Sequence, residues 1–353
     1  MVTPATSAAT GRVTPPGTWG NTPSAFLAGL DSPWCRLMVD LGDIVTRATA
    51  DFARGEGLRA VHLPLTTRTV TCPNGLGSDA EPVAVTVSGV NTYLSDSAQF
   101  PLEYGCRLAD NGCYTILPSF RNEIPDGSHL TQFTHSEAEI PGGLDEVIGY
   151  VERYLRHLGR SILDEYGGEL AEAVEDVSHV ERMANGSGPF PRVTLDEAER
   201  LLSGSPDCFT GTDRWRSLTR RGERRLMEIV DEFVWLTHLD HLSVPFYQAF
   251  DGDQTGVARC ADLFFGMGEV VGSGERHRTG DEVRRALEMH AVPEHDYDWY
   301  VRMKDRFPRR TAGFGMGVER YLMWVVGHDD IRDIPMISRV DEPRSWPSSV
   351  DRP

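Results

Sequence analysis

Lysine is almost absent from this chain: Lys304 is the only one among 353 residues, and every other fixed side-chain cation is an arginine. Acidic residues outnumber basic ones by 53 to 35, giving a net charge of −18 that repels a polyanion unless a local basic surface compensates. That balance argues against nucleic acid as a partner. Close cysteine pairs are missing as well. Cys35, Cys72, Cys106, Cys113, Cys208 and Cys260 are scattered, without the spacing of a zinc site or the density of a disulfide scaffold, and read as reduced thiols. No apolar run approaches the ~20 residues that span a bilayer, and no basic segment followed by an apolar one opens the chain. A cytoplasmic protein without a membrane partner is expected. Neither a Gly-Lys-Ser/Thr phosphate loop nor a full dinucleotide glycine fingerprint occurs, and there is no internal repeat or heptad pattern.

What is present centres on Phe120 to Glu139, FRNEIPDGSHLTQFTHSEAE. Tyr114–Glu123 and Leu130–Ile140 are rich in aromatic and β-branched residues and flank the turn signal Pro125-Asp126-Gly127, which predicts an antiparallel hairpin. Alternate side chains share a face, so Arg121 and Glu123 project together, as do Phe133, His135, Glu137 and Glu139. Such a face is either a solvated outer surface or a binding floor, with an arginine for phosphate, a ring for a base and carboxylates for an amino group. A second stretch favours the floor. Gly313-Phe314-Gly315-Met316-Gly317-Val318-Glu319-Arg320 precedes an apolar helical run, and Arg320 falls in the first turn, where the helix dipole favours an anion.

Together, FRNE with HLTQF and then GFGMGVER resemble motifs 2 and 3 of the class II aminoacyl-tRNA synthetases, in the aspartyl and asparaginyl branch. The resemblance extends over about residues 33–340, with Pro64 similar to the motif 1 proline. It implies an α+β fold, a mostly antiparallel sheet flanked by helices, and ATP-dependent formation of an acyl-adenylate. It further implies that Arg121 holds the α-phosphate, Arg320 the γ-phosphate, Phe133 the adenine face and Glu123 the adenine edge, with His129 near the phosphates. Asp262 and Glu269 match the family's carboxylate pair, suited as hard oxygen ligands to Mg2+. Ser97, Gln99, Glu137 and Arg276 fall at substrate-binding positions, and Arg276 could grip a carboxylate bidentately.

Departures from the family pattern bear on specificity. A lysine that aspartyl enzymes use on the substrate side chain falls at Leu102, while Glu103 and Glu137 look more asparaginyl. Gly272 stands where some relatives have a metal-binding serine. The resemblance does not cover an anticodon-binding barrel, which that family carries ahead of its core. The chain therefore resembles free-standing archaeal-type asparagine synthetases, and the expected substrates are an aspartate-like amino acid and ammonia or a small amine. The alternatives are tRNA charging or specialised amino-acid activation, and a non-catalytic regulator that binds ATP or an amino acid.

The remaining expectations are local. Residues 1–31 read as a flexible N-terminal tail, 32–342 as the catalytic domain with an inserted subregion at about 169–215, and 343–353 as a C-terminal tail. Ser32-Pro33 caps a helix whose apolar positions run from Trp34 to Phe52, which the resemblance places in a homodimer interface. Val83, Val85 and Val87 alternate in a half-buried strand that turns at Ser88-Gly89. Val147 to Ile162 mark a helix closed by Gly167-Gly168. Arg214, Arg216, Arg220, Arg221, Arg224 and Arg225 are either a tRNA-facing patch or, with Glu223 interleaved, a solvated helix face, and the latter is favoured. His238, Asp240 and His241 have metal-like spacing but no further clustered ligand, and read as structural.

Overall fold

The computed structural model describes residues 12–17, 19, 23–71 and 81–338. Eight strands form the central sheet: β1 (Arg59–Ala60), β2 (Cys113–Phe120), β3 (Gln132–Pro141), β4 (Arg192–Thr194), β5 (Val234–Thr237), β6 (Cys260–Phe265), β7 (Gly268–Glu275) and β8 (Thr311–Gly317). Their spatial order is β1-β2-β3-β8-β7-β6-β5-β4. Only the two outermost pairs are parallel, and every inner pair is antiparallel, in agreement with the expected α+β class. The β3–β8 register sets Gly313 opposite Glu139 and Gly315 opposite Glu137, which decides the shape of the site.

Four helices frame the core and the site: α1 (Pro33–Gly55), α2 (Leu144–Ala173), α3 (Arg220–Ile229) and α4 (Val318–Val325). Ser32 caps α1 by accepting from the Cys35 amide at 3.4 Å, with Pro33 in the first turn where it forfeits no hydrogen bond. Trp34, Leu37, Leu41 and Val45 of α1 share a core with Val147, Val151 and Leu155 of α2 and with Ala138, Leu263 and Phe314 of the sheet. Each large apolar side chain fully buried there contributes about 1.5–3 kcal/mol.

Several expectations are corrected. Helix α2 does not close at Gly167-Gly168 but continues to Ala173, because Leu170 and Ala173 extend its buried stripe. Their burial offsets the ~1 kcal/mol that each interior glycine costs. Strand β2 ends at Phe120 and β3 starts at Gln132, so Arg121 and Glu123 stand on the connection and not on a strand. The cause is Asp126, whose carboxylate accepts from the Ser128 and His129 amides and the Ser128 hydroxyl at 2.8–2.9 Å, folding the segment into an Asx turn. Strands at Ala84–Val87 and Val90–Leu94 do form a hairpin through Ser88 and Gly89, both at positive φ. The hairpin is largely exposed, however, since it pairs with Thr66–Thr67 in a separate small sheet.

The N-terminal segment is not a loose tail where it is described. Pro23–Asp31 is helical, Trp19 donates to the Asp333 carboxylate and stacks under Arg332, and the Val13 amide donates to Ala173 O at 2.9 Å. Within residues 169–215, Val180, Met183 and Phe190 join the main core and β4 adds the edge of the sheet. Thr194 and Glu197 form the capping box of a short helix, Leu195–Leu201. The C-terminal tail 343–353 and Cys72 lie outside the described residues. The other five cysteines are free thiols. No described helix is long and apolar enough to cross a membrane.

Candidate active site

A cavity of about 630 Å3 opens on the face of the sheet above β3, β8 and β7. Its lining includes Ser97, Gln99, Arg121, Glu123, His129, Phe133, Glu137, Asp262, Glu269, Arg276 and Arg320, so residues spread over more than 200 positions converge on one space. At one end the Arg121 amide donates to Thr131 O at 2.9 Å, prolonging the β2–β3 ladder and aiming the side chain inward. Its guanidinium lies 5.5 Å from the centroid of the Phe133 ring, whose edge meets His135. Arg320, in the first turn of α4, donates to Glu269 O at 2.6 Å and approaches Ser128 O at 3.5 Å. Glu319, to which the sequence pattern assigned no role, accepts from the Thr134 amide at 2.9 Å and fixes the start of β3.

Asp262 on β6 and Glu269 on β7 face each other across Gly272. A Cβ at Gly272 would lie 3.2 Å from Glu269 Oε1 and 3.6 Å from Asp262 Oδ1. A third carboxylate joins them: Glu223 of α3 accepts from the Glu269 amide at 3.3 Å. Burial first, and then the charges of Glu269 and Glu223, push the Asp262 carboxyl well above the usual carboxylate range. Glu223 is raised to about 7 by burial and by Glu269. Asp262, Glu269 and Glu223 thus concentrate negative charge beside Arg320. Among the described residues no group of three or more His, Cys, Asp or Glu side chains is placed to hold a metal ion. Sequence reasoning missed Glu223 because charge spacing along α3 places it on a solvated face.

At the other end Arg276 is 3% exposed, and its charge is met within the protein. It pairs with the buried Glu139 at 3.3 Å and donates to Gln248 Oε1 at 2.8 Å and to Gln99 Oε1. The Gln99 amide nitrogen donates to Glu139 at 2.9 Å, so Gln99 holds the pair together. Gly313 leaves room for this: a Cβ there would stand 2.6 Å from Ala138 O and 2.9 Å from Arg276 Nη2. The motif 3 glycine thus admits the protein's own side chains. Ser97 accepts from the Gln99 amide at 3.1 Å. Glu137 accepts from the Ala98 amide at 2.7 Å, and its other oxygen lies 2.8 Å from His135 Nδ1. Glu103 does not line the cavity. It is fully buried in an ion pair with Lys304 and accepts from the Tyr300 hydroxyl at 2.6 Å.

Three of the six clustered arginines are held in ion pairs. Arg216 meets Asp196, Glu199 and Asp240, Arg221 meets Asp207, and Arg225 meets Glu228. His238, Asp240 and His241 do not converge. Asp240 is taken by Arg216, His238 contacts the Thr237 hydroxyl, and His241 is buried against His290 Nε2 and Gln248 O, each at 2.8 Å.

Residues 32–340 match the family of class II tRNA synthetases (D, K and N), a family of ATP-dependent ligases, and the chain belongs to it. It is similar to the asparagine–tRNA ligase of Koribacter versatilis, 27% identical over 294 residues that make up 79% of this chain and 66% of that one. It is also similar to the asparagine–tRNA ligase of Deinococcus deserti, 29% identical over 316 residues, 85% and 69% of the two chains. The chain therefore spans about two thirds of the length of these relatives. Its fold is similar to that of asparaginyl-tRNA synthetase from Pyrococcus horikoshii complexed with asparaginyl-adenylate, with a TM-score of 0.80, 22% identity and coverage of 91% and 73%.

Proposed function

We propose that this chain activates asparagine with ATP as an aminoacyl-adenylate and passes the acyl group to tRNA. The observation that carries the amino-acid assignment is the buried Arg276–Glu139 pair beside the carboxylate of Glu137. With Arg276 already neutralised, the pocket has no surplus cation for a second substrate carboxylate, and Glu137 repels one. A neutral carboxamide fits: its oxygen accepts from Arg276, while Glu137 accepts N–H groups of the substrate. Aspartate, the substrate expected from the sequence, fits this charge balance poorly. The relatives are tRNA ligases by name, which favours tRNA over ammonia or a small amine as acceptor.

In this reading Phe133 takes the adenine ring and Glu123 its edge, Arg121 the α-phosphate, and Arg320 with His129 the β- and γ-phosphates. The α-carboxylate of the amino acid attacks the α-phosphorus, the bond to pyrophosphate breaks, and a terminal ribose hydroxyl of tRNA then displaces AMP. Positioning and charge neutralisation carry the rate. Asp262 and Glu269 would hold Mg2+, which would supply charge neutralisation at the phosphates. A homodimer through α1 and the segment ending at Pro64 is proposed on the family resemblance, to be read by sedimentation velocity.

The decisive test is exchange of pyrophosphate into ATP with asparagine, aspartate and other amino acids, followed by labelled acyl transfer. Asparagine is expected to exceed aspartate by about 100-fold or more in kcat/KM, with label appearing on tRNA. Exchange with aspartate alone, with labelled asparagine formed from ammonium and no label on tRNA, would replace this reading by amide synthesis.

A further inference from the structure

Helix α3 begins at Arg220, capped by Thr219, whose hydroxyl accepts from the Gly222 amide at 3.2 Å. Unlike Arg216, Arg221 and Arg225, Arg220 has no carboxylate in ion-pair contact among the described residues. Its guanidinium turns to the rim of the cavity, where it contacts the Ser128 hydroxyl and lies 2.9 Å from His129 Nε2. Arg320 reaches the carbonyl of the same Ser128 from the cavity side. Two guanidinium groups therefore meet at Ser128, and Arg320 also donates to Glu269 O, so they stand at the end of the cavity lined by Asp262 and Glu269.

We propose that Arg220 is a further ligand of the polyphosphate of ATP and of the pyrophosphate product, closing on the β- and γ-phosphates opposite Arg320. The inference rests on the reading of the cavity as an ATP site and adds a residue from outside the motifs that suggested it. The physical argument is exchange of partners. Hydrogen bonds from a guanidinium to a hydroxyl and an imidazole are weaker than bidentate charge-assisted bonds to phosphate, and the exposed side chain is free to swing. The Asx turn built by Asp126 presets Ser128 and His129 at the required place. An arginine there also offsets the negative charge that the three carboxylates and the triphosphate bring together.

The test is calorimetric titration of the full chain with Mg·ATP, pyrophosphate and AMP, comparing wild type with Arg220→Ala and Arg220→Lys. Arg220→Ala is expected to weaken ATP and pyrophosphate roughly tenfold or more, to leave AMP within twofold, and to leave the KM for the amino acid unchanged. Arg220→Lys should recover part of the loss, since it restores the charge without the fork. Unchanged affinity for ATP and pyrophosphate in Arg220→Ala would overturn the proposal. So would an equal loss for AMP, which would mean that Arg220 only braces the loop carrying Ser128. Failure of the wild-type chain to bind ATP at all would instead remove the underlying reading of the site.

Discussion

Replacing Arg276 by leucine tests both the architecture and the specificity of the amino-acid pocket. Arg276 and Glu139 are 3% and 0% exposed and meet at 3.3 Å, so removing the arginine strands a carboxylate in the interior. Breaking such a pair from one side costs about 3–5 kcal/mol, out of a total of roughly 5–15 kcal/mol for a typical domain. Gln99 and Gln248 also lose their shared donor, which adds to the loss without being strictly additive. Burial raises the Glu139 carboxyl and Arg276 counters it. Without Arg276 that rise is larger, so the folded state binds the proton more tightly than the unfolded one. The destabilisation should therefore grow as pH rises above the ordinary carboxylate range and shrink toward pH ~5. Adding Glu139→Gln removes the stranded charge while keeping a side-chain partner for Gln99, and should restore most of the stability but none of the amino-acid selection. Denaturant midpoints read the first quantity, and asparagine-dependent pyrophosphate exchange reads the second. A single variant as stable as wild type would refute the buried-pair argument. Recovery of the amino-acid KM in the double variant would show that Arg276 acts only through Glu139.

Neighbouring contacts carry further expected outcomes. Burial holds His241 down to about 4 and His290 to about 3, so both are neutral in the folded protein. Their contribution is fully present above the ordinary histidine value of 6.5 and is lost as pH falls from there toward 4. For His241 alone that is about 3 kcal/mol, visible as a drop in urea midpoint between pH 7.5 and 5; a flat profile would contradict it. Gly313→Ala crowds Ala138 O and Arg276, and should cost about 1–3 kcal/mol and raise the amino-acid KM while AMP binding persists. A normal amino-acid KM would mean that the strand yields. Lys304→Met leaves the buried Glu103 with only the Arg107 guanidinium, at 3.5 Å, and should lower stability by up to about 3 kcal/mol, largely recovered by adding Glu103→Gln, as thermal unfolding will register.

Features governed by neighbours in the chain are legible in the sequence alone. Ser32-Pro33 and the apolar spacing after it define α1, because capping and periodicity act within a few residues. The hairpin around Pro125-Asp126-Gly127 and the first-turn position of Arg320 have equally local causes. The family resemblance then places Arg121, Phe133, Asp262, Glu269 and Arg276 around what proves to be one cavity. Pairings between distant residues are not legible. Glu103 has the look of a pocket residue, yet Lys304, some 200 positions away, neutralises it in the interior. Arg276 has the look of a free anion receptor, yet the β3–β8 register brings Glu139 against it. Arg220 and Glu223 read as solvated charges on a basic helix, and packing of α3 beside β6 and β7 brings Arg220 against Ser128 and His129 and Glu223 against the Glu269 amide. Helix α2 runs past two glycines because burial of Leu170 outweighs a local stop signal. Whether a charge is neutralised within the fold or left for a ligand depends on which partner the sheet order delivers, and that partner is set by tertiary packing across hundreds of residues.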